Sequence, residues 1–296
     1  MTALKKIPLW QNPILLKELK GRMRGKQSVV LIMIYLGLLI FFIAIVFAFL
    51  QADGFSFDSP DVLPDAGKAL FFTVVGSELL LIALIAPALT SGAISSERER
   101  QTFDLLRVSL LSPRDLLRGK LFSALAYVFL LAFIAIPLQS IAFMLGGVGL
   151  TEFFISLVLM IVSAFLFSTL GLYFSAIAKR ATPATVLSYA FTIIPTVLAF
   201  AFFYFLSQSS VDIFDGTPSQ QRAWLIILVT LFSLNPISAG FLTALLLEEE
   251  HTALAMITFD PYLALPSAWI IYVAYSVALT VCMLRISEFY LRRYEY

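Results

Sequence analysis

Six uninterrupted apolar runs, at residues 29–50, 70–90, 121–145, 153–178, 185–206 and 265–284, leave this 296-residue chain little choice of solvent. Each is long enough for a helix rising about 1.5 Å per residue to cross roughly 30 Å of hydrocarbon. Hydrophobic residues make up 60% of the sequence and charged residues 13%, more apolar surface than the core of a water-soluble domain requires. Only helices satisfy their own backbone hydrogen bonds within such continuous stretches, and the alternating pattern of a membrane β-barrel is missing. The expected fold is an all-α polytopic membrane protein with six transmembrane helices.

Charge sets the expected topology. Eighteen of the twenty lysines and arginines lie at 1–28, 91–120, 179–183 and 285–296, as seven, six, two and three; only Lys68 and Arg222 fall elsewhere. Cytoplasmic loops of membrane proteins carry the excess of Lys and Arg, so these segments are assigned inside and 51–69, 146–152 and 207–223 outside. Asp53, Asp58, Asp61 and Asp65, against one lysine in the first outer segment, agree. The expected location is a cell (inner or plasma) membrane, multi-pass, with both termini cytoplasmic. A long polar-basic segment before a 22-residue span is unlike a cleaved secretory signal, so the amino terminus is expected to be retained. The net charge of +1 points to no nucleic-acid partner. The lone Cys282 allows no internal disulfide, and His251, the single histidine, leaves no basis for a His-rich metal site or a Ser-His-Asp triad.

Residues 224–247 form a seventh apolar stretch, of 24 residues, and a seventh crossing would carry Arg285, Arg292 and Arg293 outside. Asn235-Pro236 lies at its middle. Proline removes a helical hydrogen bond and pushes the residue before it out of the α region. Each half then reaches about 16 Å, about half the hydrocarbon thickness. The stretch is read as a re-entrant helical hairpin entering from outside, which keeps Glu248, Glu249 and Glu250 on that side. One kinked spanning helix is the alternative.

Two cytoplasmic segments carry helical signals. Asn12 as N-cap and Pro13 at the first helical position begin an interfacial helix, with Leu15, Leu16, Leu19 and Met23 on one side and Lys17, Lys20 and Arg24 on the other. Glu18 and Arg22 form an i, i+4 pair. An ordinary basic juxtamembrane segment is the plainer reading. The connection 91–120 places Phe103, Leu106 and Leu110 at i, i+3 and i+7 with Arg100, Asp104 and Arg107 largely to another side. Ser112-Pro113-Arg114-Asp115 then gives a serine N-cap, a proline at the first position and an acid at the third, leading into a new helix. Short capped helices make a firmer loop than a connector requires, which suits transmission of force; a solvated charged face is the plainer reading.

The ordered set Glu97, Glu99, Thr102, Leu105, Leu106, Ser112, Pro113, Gly119 and Lys120 resembles the permease subunits of type-2 ABC transporters. Asn12-Pro13, Lys17-Glu18-Leu19, Arg22 to Arg24 and the late Asn235-Pro236 are similar to that family too, so the resemblance covers nearly the whole chain. Phe103 and Asp104 depart from the pattern, where a small or acidic-aliphatic start is common. The resemblance implies an amino-terminal elbow helix (Lys17, Glu18, Arg22, Arg24) and a cytoplasmic coupling helix between spans two and three, to which Arg98, Arg100 and Arg107 would also belong. It implies re-entrant helices before span six, and a prokaryotic complex of two permeases, identical or paralogous, with two ATPase subunits. ATP and Mg would then sit on that partner. No G-x-x-x-x-G-K-[ST] phosphate cradle is present here; Gly25-Lys26-Gln27-Ser28 and Gly119-Lys120-Leu121 lack its preceding glycine.

Ionisable groups within the spans are few. Glu78, about 12 Å into the second span by helical rise, is costly there and is expected either to line a substrate pathway or to make a structural contact. Gln139, just after Pro137, lines the same pathway or caps a kink. Asn235 satisfies groups freed by Pro236, or serves an outer gate. The leading expectation is an exporting permease subunit without bond-making chemistry of its own. An ATP-independent carrier or channel is the alternative, and an intramembrane enzyme would need clustered acids or histidines that are not present.

Overall fold

The computed structural model describes residues 13–23, 25–52, 63–103, 112–208, 217–250, 255–257 and 264–293. The helices are α1 (Pro13–Met23), α2 (Lys26–Ala52), α3 (Leu63–Thr90), α4 (Ser95–Glu99), α5 (Pro113–Leu145), α6 (Leu150–Ile177), α7 (Ala181–Gln208), α8 (Pro218–Phe232), α9 (Pro236–Glu250) and α10 (Ala268–Arg293). Six of them, α2, α3, α5, α6, α7 and α10, are long and apolar enough to cross a membrane. The all-α reading holds, with one small addition: β1 (Ala255–Ile257) pairs antiparallel with β2 (Ala264–Pro266), just before α10. Strands of three residues carry too little period-2 pattern to be read from sequence.

Helices α3, α5, α6 and α10 share the main core, in which Phe71, Leu79, Leu125, Leu159 and Tyr272 are almost wholly enclosed. Helix α2 adds Tyr35 and Leu39 against Leu81, Tyr127 and Leu131. Helix α7 leans on α6 through Ala184 beside Leu170 and Phe174. Centre and periphery differ sharply: 61% of the apolar window of α6 is buried, against 11% in α2 and 17% in α7. Helices that are apolar on every side expose such faces to lipid or to another membrane chain.

The spanning helices outrun their apolar runs. Helix α5 has 33 residues, roughly 50 Å, so its first two turns, expected within the loop 91–120, are an extension of the span itself. The capping signal at 112–115 does start a helix: the Asp115 amide donates to Ser112 Oγ at 3.2 Å, and Ser112 Oγ donates to Asp115 Oδ2 at 2.6 Å. What it starts is α5, and Gly119 and Lys120 are buried inside it. Helix α10 likewise runs through Arg293, so the basic residues expected in a tail lie on its last turns.

The stretch 224–247 breaks where expected. Helices α8 and α9 meet at residues 233–235, where the Ile237 amide donates to Asn235 Oδ1 at 2.8 Å and the Ala239 amide to the Asn235 carbonyl at 2.9 Å. Asn235 is thus the N-cap of α9, with Pro236 at its first position. Asn235 Nδ2 also donates to Thr196 Oγ1 at 2.5 Å, close to the midpoint of α7. The turn therefore sits halfway along the spans, and α9 packs on α3, α6 and α10 as the chain returns toward the start of α10. That is a re-entrant hairpin and not a kinked crossing.

Candidate functional site

Side-chain contacts gather the basic segments at one end of the bundle. The end of α3 with α4, the start of α5, the turn between α6 and α7, the end of α10 and helix α1 all meet there, as the alternation of charges requires. Two oppositely charged partners reach Lys120, only 3% exposed in its side chain: Nζ donates to Glu97 Oε1 at 2.7 Å and to Glu18 Oε1 at 3.0 Å. Ser123 Oγ, one turn further along α5, donates to Glu18 Oε2 at 2.8 Å. One buried ammonium thereby ties α1, α4 and α5 together. Burying it is tolerable because two carboxylates answer the charge.

Helix α4 is held from behind by α6. Ser175 Oγ accepts the amides of Ile94 at 2.8 Å and Ser95 at 3.0 Å, filling from a distant helix the role that an N-cap side chain ordinarily plays. Ser91 and Thr185 hydroxyls lie 2.9 Å apart, and Arg98 Nη1 donates to the Ala178 carbonyl at 3.2 Å. The Arg98 guanidinium also sits 5.1 Å from the centroid of the Phe103 ring. At its far end α4 closes in a Schellman motif: the Thr102 amide donates to the Glu97 carbonyl at 3.0 Å and the Gln101 amide to the Arg98 carbonyl at 3.1 Å. Gln101 takes the left-handed position there, at φ 58, where glycine is usual. Outward from this anchored element face Glu99, Arg100, Gln101 and Thr102, all exposed.

Of the residues singled out in the sequence, the structure joins Glu18, Glu97 and Lys120 and presents Glu99, Arg100 and Thr102 on the exposed ridge beside them. Ser112 and Pro113 start α5, while Gly119 is buried. Lys17 is exposed on α1, which packs along α5, and Leu16 is 49% exposed. Asn12, Arg24, Asp104, Leu105, Leu106, Arg107 and His251 lie outside the described residues, as does the Arg22 side chain. Ser175, Ser123 and Thr185 were not anticipated. Their only signal is a hydroxyl inside an apolar helix, which names no partner.

A second polar contact lies mid-membrane. Gln139 Nε2 donates to Glu78 Oε2 at 2.9 Å and approaches Met160 Sδ at 3.9 Å, joining α3, α5 and α6. Glu78 is completely buried and its Oε1 has no hydrogen-bond partner. Neither residue lines the apolar slot among α3, α6 and α9, which is walled by Phe72, Leu79, Ile155, Leu159 and Phe241. Asn235, at the hairpin turn, is committed to backbone and Thr196. Among the described residues no three His, Cys, Asp or Glu side chains converge as metal ligands would.

Fold and contacts together define a class, a polytopic helical membrane protein with six candidate spans and a half-depth hairpin. No protein-family model and no curated protein matches this chain in sequence.

Proposed function

We propose that this chain is the membrane-spanning subunit of an ATP-driven exporter, pushed by a separate ATPase that docks on the ridge at residues 99–102. The observation that carries this reading is the Glu18–Lys120–Glu97 clamp. A displacement of the ridge on α4 is delivered at once to α1 and α5 through the clamp and to α6 and α7 through Ser175, Ala178 and Thr185. A solvated connector has no need of such anchoring. The resemblance to type-2 ABC permeases supplies the kind of partner, and the positive-inside rule supports a cytoplasmic ridge on a protein of the cell membrane. The functional unit would hold two ATPase subunits, bearing ATP and Mg, and two permeases, the second a copy of this chain or a paralogue.

The test is affinity purification of the chain from its native membrane in mild detergent, followed by nucleotide hydrolysis and mass spectrometry. Co-purification of an ATPase that is lost in Glu99→Lys/Arg100→Glu, two exposed positions whose reversal leaves the clamp intact, is the expected result. Absence of any ATPase, or transport by the purified chain alone in vesicles without nucleotide, would sink the reading in favour of an ATP-independent carrier or channel.

A further inference from the structure

Beside the clamp, on the same basic end, a groove of about 330 Å³ separates the start of α5 from the end of α10. One wall is Arg114, Leu117 and Arg118, at i, i+3 and i+4 on α5; the other is Val281, Leu284, Arg285 and Glu288, at i, i+3, i+4 and i+7 on α10. Three arginines less one glutamate leave the lining at +2. Glu288 is already engaged on both sides, by Arg114 Nε at 2.5 Å and Arg292 Nη2 at 2.6 Å. Arg118 and Arg285 are exposed, and neither is paired with a carboxylate among the described residues.

The groove is also apolar in the direction of the membrane. Leu117 forms a buried floor, and Val281 and Val277 continue from Arg285 along α10 at four-residue steps, 52% and 50% exposed. A guanidinium pair at the end of two spans, with an apolar stripe leading from it toward the membrane interior, is complementary to a ligand with an anionic head and a hydrocarbon chain. Phosphate suits the planar fork of arginine, and basic pockets between helix ends are established headgroup sites.

We propose that this groove binds an anionic phospholipid of the surrounding bilayer, its phosphate between Arg118 and Arg285 and an acyl chain along Val281 and Val277. Bound lipid would brace α5 against α10 across the groove, next to the Arg114–Glu288 pair. The site needs only that both helices span the membrane, and it is independent of the ATPase reading.

The experiment is native mass spectrometry of the full chain, titrated with phosphatidylglycerol or phosphatidylcholine, with thermal unfolding followed in parallel. One phosphatidylglycerol per chain should survive delipidating washes and raise the unfolding midpoint, while phosphatidylcholine does neither. Arg118→Ala/Arg285→Ala should weaken retention roughly 25-fold, from about 1 kcal/mol per basic group at about 1.4 kcal/mol per tenfold. Glu288→Gln, which frees two further arginines, should tighten it several-fold and keeps the test decisive if the double variant folds poorly. Retention unchanged in both variants, or equal retention of the two lipids, overturns the proposal. So does protection by inorganic phosphate matching that of the lipid, which would assign the arginines to a soluble anion.

Discussion

Both ends of the bundle bring helices close together, as Gly171 against Pro87 and Thr90 shows near the basic end, but they differ in how far polar contacts join them. At the basic end, distant segments are joined by directional polar contacts: Lys120 to Glu18 and Glu97, Ser175 to the start of α4, Arg98 to the Ala178 carbonyl, Arg114 to Glu288. At the opposite end, the chain is joined by close backbone approach. A side chain on Gly67 would collide with the Gly146 and Ala142 carbonyls, and one on Gly147 with the Pro64 carbonyl. Directional contacts hold elements in one arrangement and pass displacement between them. Small-residue packing is the usual way for membrane helices to approach, since lipid gives them no hydrophobic reason to associate. Under the proposed function, the polar end receives the push and the packed end, with the hairpin and its slot, responds.

The comparison breaks most severely at Lys120. Replacing it with alanine leaves two partly buried carboxylates facing each other, and loss of one partner of a buried pair costs about 3–5 kcal/mol. A large fall in the thermal unfolding midpoint in detergent is expected. Adding Glu18→Gln and Glu97→Gln to Lys120→Met should recover most of it; no recovery would mean that the charges are not what holds the three helices. At the packed end, Gly67→Ala must displace backbone and is expected to cost about 1–3 kcal/mol, read as a lowered midpoint. If it has no effect, that end is looser than the glycine contacts imply.

Smaller effects sharpen the picture. Ser175→Ala removes the cap of α4 and should cost about 1 kcal/mol. Hydrogen exchange should accelerate at the Ile94 and Ser95 amides and remain unchanged in the middle of α6. Uniform acceleration would point to general destabilisation of α6 and not to a cap. Smallest of all, Gln101→Gly relieves a left-handed non-glycine residue at the end of α4 and should stabilise by under about 1 kcal/mol. A lowered midpoint would show that the Gln101 side chain makes a contribution its backbone conformation does not reveal.

Much of the fold was legible in residues 29–284. The apolar runs located the spans, the charges ordered them, and Asn235-Pro236 marked the break in the hairpin, which the parity of Arg285, Arg292 and Arg293 required to return on the side it entered. Boundaries were less legible: the capped start at Ser112–Asp115 reads as a short helix within the loop, yet backbone hydrogen bonding continues from it through Arg118 into the span, because a helix does not end where hydrocarbon does. The candidate site was legible in part. Glu97, Lys120 and Glu18 were each singled out, the first two for coupling and the third for the elbow, and nothing in their spacing said that they share one contact.

The sequence alone determined what each stretch of about 20 residues would be, because solvent preference, capping and proline chemistry act within a few turns of the chain. Tertiary structure decided which faces meet. Ser175 reaches Ile94 across 81 residues and Lys120 reaches Glu18 across 102, contacts fixed by the rotation and tilt of each helix about its axis. Helices that are apolar nearly all round carry no stripe to encode that rotation, so it was settled by the packing of small residues and by polar contacts such as the buried hydroxyls and the shared Lys120 ammonium.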